Sequence, residues 1–178
     1  TYTRFDDVVQ AEEQAREAQI EAALERVRSR SMSMQQSEEL SQVLYLIFEE
    51  LKELGLELAI CIIWTFNKDD KSATWWTVSP ELEKTDNGYH IPNLDHQVYR
   101  NFWREYRKKN PRWHYELSGQ TKRSWDQLVF SQTEMMNMPD QVKDYMISTK
   151  KVHLANIFND HGVLMAGTLK EPISNAEF

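Results

Sequence analysis

The first thirty residues carry few apolar side chains, and these recur at steps of three and four in a polar background. From Asp6 to about Arg30 there is no Gly or Pro, and the stretch is rich in Ala, Glu, Gln and Arg, which lose little side-chain freedom in a helix. The pattern predicts a long helix with a narrow apolar seam rather than a broad core-facing surface. One stripe of the seam comprises Val8, Ala11, Ala15, Ala18 and Ala22. A second stripe, expected to lie next to the first on the helix surface, comprises Ile20, Leu24 and Val27.

A seam this narrow fits a second helix better than a globular core. A helix of roughly 30 residues would extend about 45 Å, which is longer than a domain of this size needs. Residues 1–35 are therefore predicted to form a coiled-coil-type helix that pairs with a second copy of the chain. The predicted dimerisation positions are Ala11, Ala15, Ala18, Ile20, Ala22, Leu24 and Val27.

The remainder, residues 36–178, alternates helical and strand patterns without a regular βαβ rhythm. Ser37 is expected to cap a second helix, which keeps a broader apolar face and stops at Gly55. The segment "LELAICIIWTF" is apolar at both alternate sets of positions, which predicts a central strand buried on both faces. "ATWWTVSP" is its expected hairpin partner, and Asn87-Gly88 marks a turn before a third, short strand.

The second half of this domain adds further helices and strands. Asp95 to Lys109 is a predicted helix, and "RWHYELS" is a predicted strand. Two shorter helices are expected at 121–130 and 139–147, the latter with Pro139 in its first turn. "KVHLANIF" and "VLMAGTL" flank "NDHG" as a closing hairpin. The predicted fold class is therefore α+β, with a central, mainly antiparallel sheet flanked by helices.

Charge and cysteine content narrow the classes of partner. The formal charge is −7, which disfavours broad attraction to nucleic acid or to anionic membranes. Against this negative net charge, eight basic residues are concentrated between Arg100 and Arg123. A solvent-exposed helix face, or a face that contacts an acidic surface, explains this local positive charge better than a nucleic-acid groove. The single cysteine, Cys61, allows no internal disulfide, and no apolar run is long enough to cross a bilayer, so a cytoplasmic location is expected.

Two segments of the sequence resemble a known family. Residues 17–57, "EAQIEAALERVRSRSMSMQQSEELSQVLYLIFEELKELGLE", are similar to the segment that introduces GAF-like sensor domains in bacterial multi-domain sensor histidine kinases and related regulators. The order of elements and "NIFNDHGVLMAGTLKEPIS" extend the resemblance to the rest of the domain. The resemblance implies a signal-input module of a two-component system. It also implies that a terminal helix begins near "ISNAEF" and that residues 1–30 leave an upstream sensor copy.

The resemblance further implies a ligand pocket between one face of the sheet and the helices that cross it. Aromatic walls suit flat or cationic ligands, and the candidate lining residues are Trp76, Trp113, Tyr115 and Trp125. The alternative for each of these side chains is ordinary packing in the core. The sequence identifies no cofactor.

Catalysis by this chain is not expected. The five histidines form no i, i+4 pair and Cys61 lies in a predicted buried strand, so neither a metal site nor a reactive thiol is expected. No histidine precedes His90, so the helices of residues 1–54 carry no phospho-accepting histidine. The leading expectation is a dimeric sensor module with a small-molecule ligand. The alternative is a docking module that contacts neighbouring proteins and holds no small molecule.

Overall fold

The computed structural model describes residues 2–36, 39–80, 88–108 and 111–174. The helices are α1 (Tyr2–Met32), α2 (Leu40–Glu53), α3 (Gln97–Arg107), α4 (Gly119–Gln132) and α5 (Asp140–Ser148), with a 3₁₀ turn at Glu134–Asn137 between α4 and α5. The strands are β1 (Leu58–Phe66), β2 (Ala73–Val78), β3 (Tyr89–Ile91), β4 (Arg112–Ser118), β5 (Lys151–Phe158) and β6 (Gly162–Thr168). The order of elements is the predicted one, apart from the 3₁₀ turn, which the sequence pattern did not indicate.

The six described strands form one sheet in the order β3-β2-β1-β6-β5-β4, and every neighbouring pair is antiparallel. β1 lies near the centre because both of its faces are apolar, as predicted. It pairs with β2 so that Trp64 lies opposite Trp75 and Ile63 opposite Trp76. The α+β class with an antiparallel sheet is therefore confirmed.

Side chains alternate along each strand, so each face of the sheet builds its own core. One face packs under α2, where Leu44 and Phe48 meet a layer of sheet residues that includes Cys61, Trp76 and Val78. The other face packs under α3, α4 and α5, where the buried set includes Trp64, Trp75, Phe102, Trp125 and Met165. α2 thus covers the first face at β1 and β2, and three helices cover the second face.

The predicted N-terminal helix is confirmed, and its last turns pack on α2. Arg26 donates two hydrogen bonds of 2.5 Å to Glu50, and Arg30 donates to Gln42. Since later positions of α1 contact earlier positions of α2, the two helices run antiparallel. Ala23 is buried at this contact, with 5% of its surface exposed. Sequence reasoning did not single out Ala23, although it lies between the two predicted stripes.

Most of α1 lies beyond this contact. Its 31 residues span about 46 Å, whereas the 14 residues of α2 span about 21 Å. The side chains of residues 6–22 are exposed except for Val9, which is half-buried. Ile20 and Leu24 are 37% and 57% exposed.

The helix geometry corrects one feature of the predicted seam. Ala22 and Leu24 are two residues apart, which places them about 200° apart around α1. The alanine stripe and the Ile20–Leu24–Val27 stripe therefore lie on opposite sides of the helix, and one partner helix cannot cover both. Val27 is half-buried beside α2, so the contact within the chain already covers part of the second stripe.

Several predicted boundaries shift. Ser37, Asn87 and residues 175–178 lie outside the described residues, and Glu39 occupies the N-cap position of α2. Gly55 follows α2 at φ +92°, as expected for a glycine stop. Pro139 lies at the N-cap of α5 rather than in its first turn, because the residue before a helix also tolerates proline geometry.

Candidate functional site

An apolar pocket of about 80 Å³ lies between the sheet and the three helices of its second face. β1, β2, β4, β5 and β6 form its floor, and α3, α4 and the end of α5 form its walls and cover. Most of the described residues that line the pocket are aliphatic or aromatic, as is usual in small-molecule sites. The central residues are Ile62, Trp64, Trp75, Phe102, Trp125 and Met165.

Four aromatic rings pack around one another at the pocket. Trp64 and Trp75 lie opposite each other in the β1–β2 register, and their ring centroids are 4.3 Å apart. Phe102 of α3 stacks on Trp64 at 4.4 Å, and Trp125 of α4 lies 5.8 Å from Trp75. These separations are in or near the favourable range for aromatic pairs, so the rings support one another as a rigid wall.

Six buried side-chain polar atoms of the described residues have no hydrogen-bond partner, and three of them belong to residues that line the pocket. Trp64, Trp75 and Ser79 all line the pocket and are at most 4% exposed. Neither indole N–H nor the Ser79 hydroxyl has a hydrogen-bond partner among the described residues. The other three atoms are Trp76 Nε1, Trp103 Nε1 and Asn156 Oδ1, whose residues are not among those that line the pocket. Missing partners therefore do not distinguish the pocket from the rest of the core.

A buried ion pair forms part of the pocket wall. Lys122 and Asp126 lie one turn apart on α4, their side chains are 6% and 9% exposed, and the ammonium donates to the carboxylate. Burial raises the pKa of Asp126, although the hydrogen bond from Lys122 and its charge act in the opposite direction. Lys122 also donates to the carbonyl oxygen of Met146 at 2.7 Å, and this bond ties the end of α5 to α4.

The floor of the pocket has two irregular features. The register of β1 against β6 shifts between Leu58 and Ile60, and Ala59 and Ile60 at this bulge line the pocket. Gly167 of β6 lies on the same face, where an added Cβ would come within 2.7 Å of Ile60 Cγ2 and 3.1 Å of Val152 Cγ2. The side chains of Ile60 and Val152 therefore pack directly against Gly167, and a larger residue there would have to displace them.

The end of α5 covers one side of the pocket. Val142 is the only buried residue of α5, and Ile147 near its end is 56% exposed. Tyr145, Met146 and Thr149 from this end line the pocket. Val142 and the half-buried Met146 pack on the same core, and the bond from Lys122 to the Met146 carbonyl adds to them.

The structure separates the four residues predicted to line a pocket. Trp125 is part of the pocket lining. Trp113 and Tyr115 of β4 lie on the same face of the sheet, but they stack on each other at 4.9 Å beside Phe102 and are not among the described lining residues. Trp76 packs on the opposite face under α2, because adjacent strand residues point in opposite directions. Trp76 and Trp125 therefore cannot line one pocket.

Sequence reasoning missed most of the lining. The neighbour of Trp76, Trp75, faces the pocket, and strand alternation alone could not tell which of the two would do so. Lys122 and Asp126 have i, i+4 spacing, which is a readable signal for an ion pair on one helical face. Nothing in that spacing showed that the pair would be buried.

The basic stretch of residues 100–123 divides into two parts. Arg100, Arg104 and Arg107 are exposed, as expected for a solvated face, whereas Lys122 is buried. Arg104 and Lys108 both contact the buried carboxylate of Glu105 at 3.1 Å. Burial acts to raise the pKa of Glu105, but hydrogen bonds from the two cations outweigh it and hold the pKa below its usual value. Part of the positive charge is thus neutralised locally.

Other chemistry is sparse in the described part of the chain. Cys61 is fully buried, and burial raises the pKa of its thiol to about 12, so it carries no reactive thiolate. Within residues 2–36, 39–80, 88–108 and 111–174, no three His, Cys, Asp or Glu side chains lie close enough to hold a metal ion. None of the helices in these ranges is both long and apolar enough to cross a membrane.

Comparison with known proteins does not assign the chain to a family. No protein-family model matches the chain, and no curated protein matches it significantly.

Proposed function

We propose that this chain is a non-catalytic signal-input module of a multi-domain bacterial signalling protein, such as a sensor histidine kinase, and acts in the cytoplasm. Its domain is GAF-like, and the interior pocket receives a small ligand. The order of helices and strands agrees with the order on which the sequence resemblance rests. The proposal itself depends on the pocket.

The observation that carries the proposal is the apolar cavity between one face of the sheet and the helices that cross it. Small-molecule sites are typically concave and mainly apolar, with a few polar groups among the lining residues. Here Ser79, Lys122, Asp126 and Thr149 are the polar or charged residues of the described lining besides the aromatic ones. The end of α5 lies along this cavity and contributes Tyr145, Met146 and Thr149 to its lining.

The opposite face of the sheet offers a route for the signal. Trp75 contacts the pocket and its neighbour Trp76 packs under α2, so both faces share one strand. α2 in turn holds the last turns of α1 through Glu50 and Arg26. A ligand that moves the sheet relative to α2 would therefore change how α1 is held.

The output surface in this proposal is the exposed part of α1, which pairs with the α1 of a second copy. The alanine stripe and the Ile20–Leu24 stripe are alternative seams, because they lie on opposite sides. Leu24→Asp and Ala15→Asp each place a charge on one seam, and Gln14→Asp is a control at an exposed position outside both. Light scattering should show a halved mass for one seam variant and an unchanged mass for the control. An unchanged mass in both seam variants would remove dimerisation through α1 from the proposal.

Native mass spectrometry tests ligand binding directly. Gently purified protein should carry a small bound mass that is lost on denaturation, or a small-molecule screen should raise its melting temperature. Absence of both results would favour the second candidate, a docking module without a ligand. One observation favours that candidate: the outer face of β4 is exposed at Arg112, His114 and Glu116 and could contact a neighbouring protein.

A further inference from the structure

We propose that His96 is a proton-sensitive joint, which in its neutral form holds the start of α3 against α4 and on protonation releases both helices. This inference goes beyond the proposed function, and it applies to the domain whether or not the pocket receives a ligand. It follows from the two hydrogen bonds of one imidazole ring and from the charges around that ring.

The ring of His96 is bound at both of its nitrogens. His96 is the N-cap of α3, and its Nδ1 accepts a hydrogen bond of 3.2 Å from the backbone N–H of Val98. Its Nε2 lies 2.9 Å from the hydroxyl oxygen of Ser124 on α4. The ring also packs on Trp125, with 5.3 Å between the ring centroids. One half-buried side chain therefore connects the start of α3 with α4.

These partners determine the tautomer of the ring. The N–H of Val98 can only donate, so Nδ1 must carry a lone pair rather than a proton. The hydroxyl of Ser124 donates to the carbonyl oxygen of Thr121 at 3.1 Å, which leaves its oxygen to accept from the Nε2–H group of His96. Both nitrogens of the neutral ring thus have a suitable partner, and the arrangement has no place for a second ring proton.

Protonation would break this arrangement. A proton on Nδ1 would point at the N–H of Val98, and two donors repel each other. The ring would have to turn its Nδ1–H group towards solvent, and the same rotation would carry Nε2 away from Ser124. Because an N-cap bond stabilises the helix that it begins, α3 would lose its cap together with its bond to α4.

The surroundings of His96 favour the neutral ring. Burial is the main cause that lowers the pKa of His96, the charge of Arg100 lowers it further, and the charge of Asp95 acts in the opposite direction. Asp95 accepts a hydrogen bond from Arg100, so its charge is partly neutralised. A histidine with a lowered folded pKa contributes stability that is complete above its unfolded pKa of about 6.5. This stability is lost as the pH falls through the folded pKa.

On the α4 side, the ring meets the neutral side chains of Ser124 and Trp125. The charged residues next to these two in the chain are Arg123, whose side chain is exposed, and the buried Lys122–Asp126 pair. Within that pair the two charges neutralise each other. The titration of His96 is therefore governed by its burial and by Arg100 rather than by α4.

The joint acts on two walls of the pocket. Val98 of α3 and Trp125 of α4 both line it. The first carries the backbone N–H that His96 caps, and the second packs on the imidazole ring. Release of His96 would therefore loosen the pocket on two sides, so the pocket is held most firmly above about pH 6.5.

NMR on the unsubstituted protein reads the joint directly. At pH 7.5, long-range ¹H–¹⁵N correlation spectra should show the Nε2–H tautomer of His96, and nuclear Overhauser effects should connect its ring with that of Trp125. Between pH 7.5 and pH 5, His96 should titrate with a pKa below its usual value of about 6.5, and these effects should weaken in step. The effects between Trp64 and Phe102, whose rings stack at 4.4 Å, should remain as an internal control.

Urea unfolding of two variants separates the joint from the titration of other groups. His96→Asn keeps an N-cap acceptor that takes up no proton, and His161→Gln removes an exposed histidine from the turn between β5 and β6. From pH 7.5 to pH 5, the unfolding midpoint of the unsubstituted protein should fall further than that of His96→Asn. The midpoint of His161→Gln should follow that of the unsubstituted protein.

Several results would overturn the inference. They are an Nδ1–H tautomer, a cationic ring at pH 7.5, no titration of His96 above pH 5, and a ring that takes up a proton while its contact with Trp125 persists. Midpoints of the unsubstituted protein and His96→Asn that fall in parallel would contradict it as well. The NMR measurements decide the question alone if His96→Asn does not fold. None of these results depends on ligand binding, so the proposed function stands or fails separately.

Discussion

Replacing Lys122 with methionine would remove the cation that neutralises Asp126 inside the domain. Methionine has a similar length and suits an apolar wall, so the change removes charge and hydrogen bonds with little loss of volume. Asp126 would remain buried on α4 without its partner. The carbonyl of Met146 would also lose the bond that ties α5 to α4.

The expected loss of stability is large at neutral pH. Breaking a buried pair by removing one partner costs about 3–5 kcal/mol, a large part of the roughly 5–15 kcal/mol by which a domain is stable. Burial already raises the pKa of Asp126, and loss of Lys122 raises it further. A carboxyl with a raised folded pKa favours folding below its unfolded pKa, and this contribution is lost as the pH rises through the folded pKa. The deficit of Lys122→Met should therefore be smaller near pH 4 than near pH 8.

Urea unfolding followed by tryptophan fluorescence would measure this difference at both pH values. Lys52→Met is the matched control, because Lys52 pairs with Glu49 on the exposed side of α2, and such pairs are worth less than about 1 kcal/mol. The double variant Lys122→Met/Asp126→Leu should recover most of the lost stability, since no charge remains buried. A loss below about 1 kcal/mol in Lys122→Met at both pH values would refute the buried pair.

Four further outcomes test separate parts of the structure. Because burial raises the pKa of Cys61 to about 12, iodoacetamide should label it only after unfolding, and labelling of the native protein would contradict its burial. Burial likewise raises the pKa of Tyr99 to about 12. In a spectrophotometric titration, the Tyr99→Phe variant should therefore lack one tyrosine that ionises late in the unsubstituted protein. Gly162→Ala would place a Cβ 1.8 Å from the Trp64 carbonyl oxygen and should cost about 3 kcal/mol in urea unfolding. Gly55→Ala, where no atom lies within 4 Å but φ is +92°, should cost about 1 kcal/mol.

Local sequence patterns predicted most of the elements because each pattern has a local physical cause. Residues 58–66 are apolar on both faces and form the central strand. "NDHG" joins the closing hairpin because Asn159 Oδ1 accepts from the backbone N–H groups of His161 and Gly162. The absence of Gly and Pro from residues 6–30 likewise predicted the long helix.

The pocket could not be predicted in the same way, because it depends on which faces meet in three dimensions. The choice between Trp75 and Trp76 depends on which face of the sheet receives α3, α4 and α5, and no local pattern records that. Lys122 belongs to a basic stretch whose other members are mostly exposed, and only the packing of α5 over α4 buries it. Ala23 was missed for the same reason, since its burial requires α2 to fold back along α1.

Hydrogen–deuterium exchange tests the central claim most directly, because it reads the pocket and the helices on the opposite face together. The protein is compared with and without a saturating amount of a compound that raises its melting temperature in the small-molecule screen. We expect protection to increase in α4 and α5 and to change also in α2 and in residues 23–32 of α1. Protection confined to α3, α4 and α5, with α1 and α2 unchanged, would contradict a signal-input role for the domain.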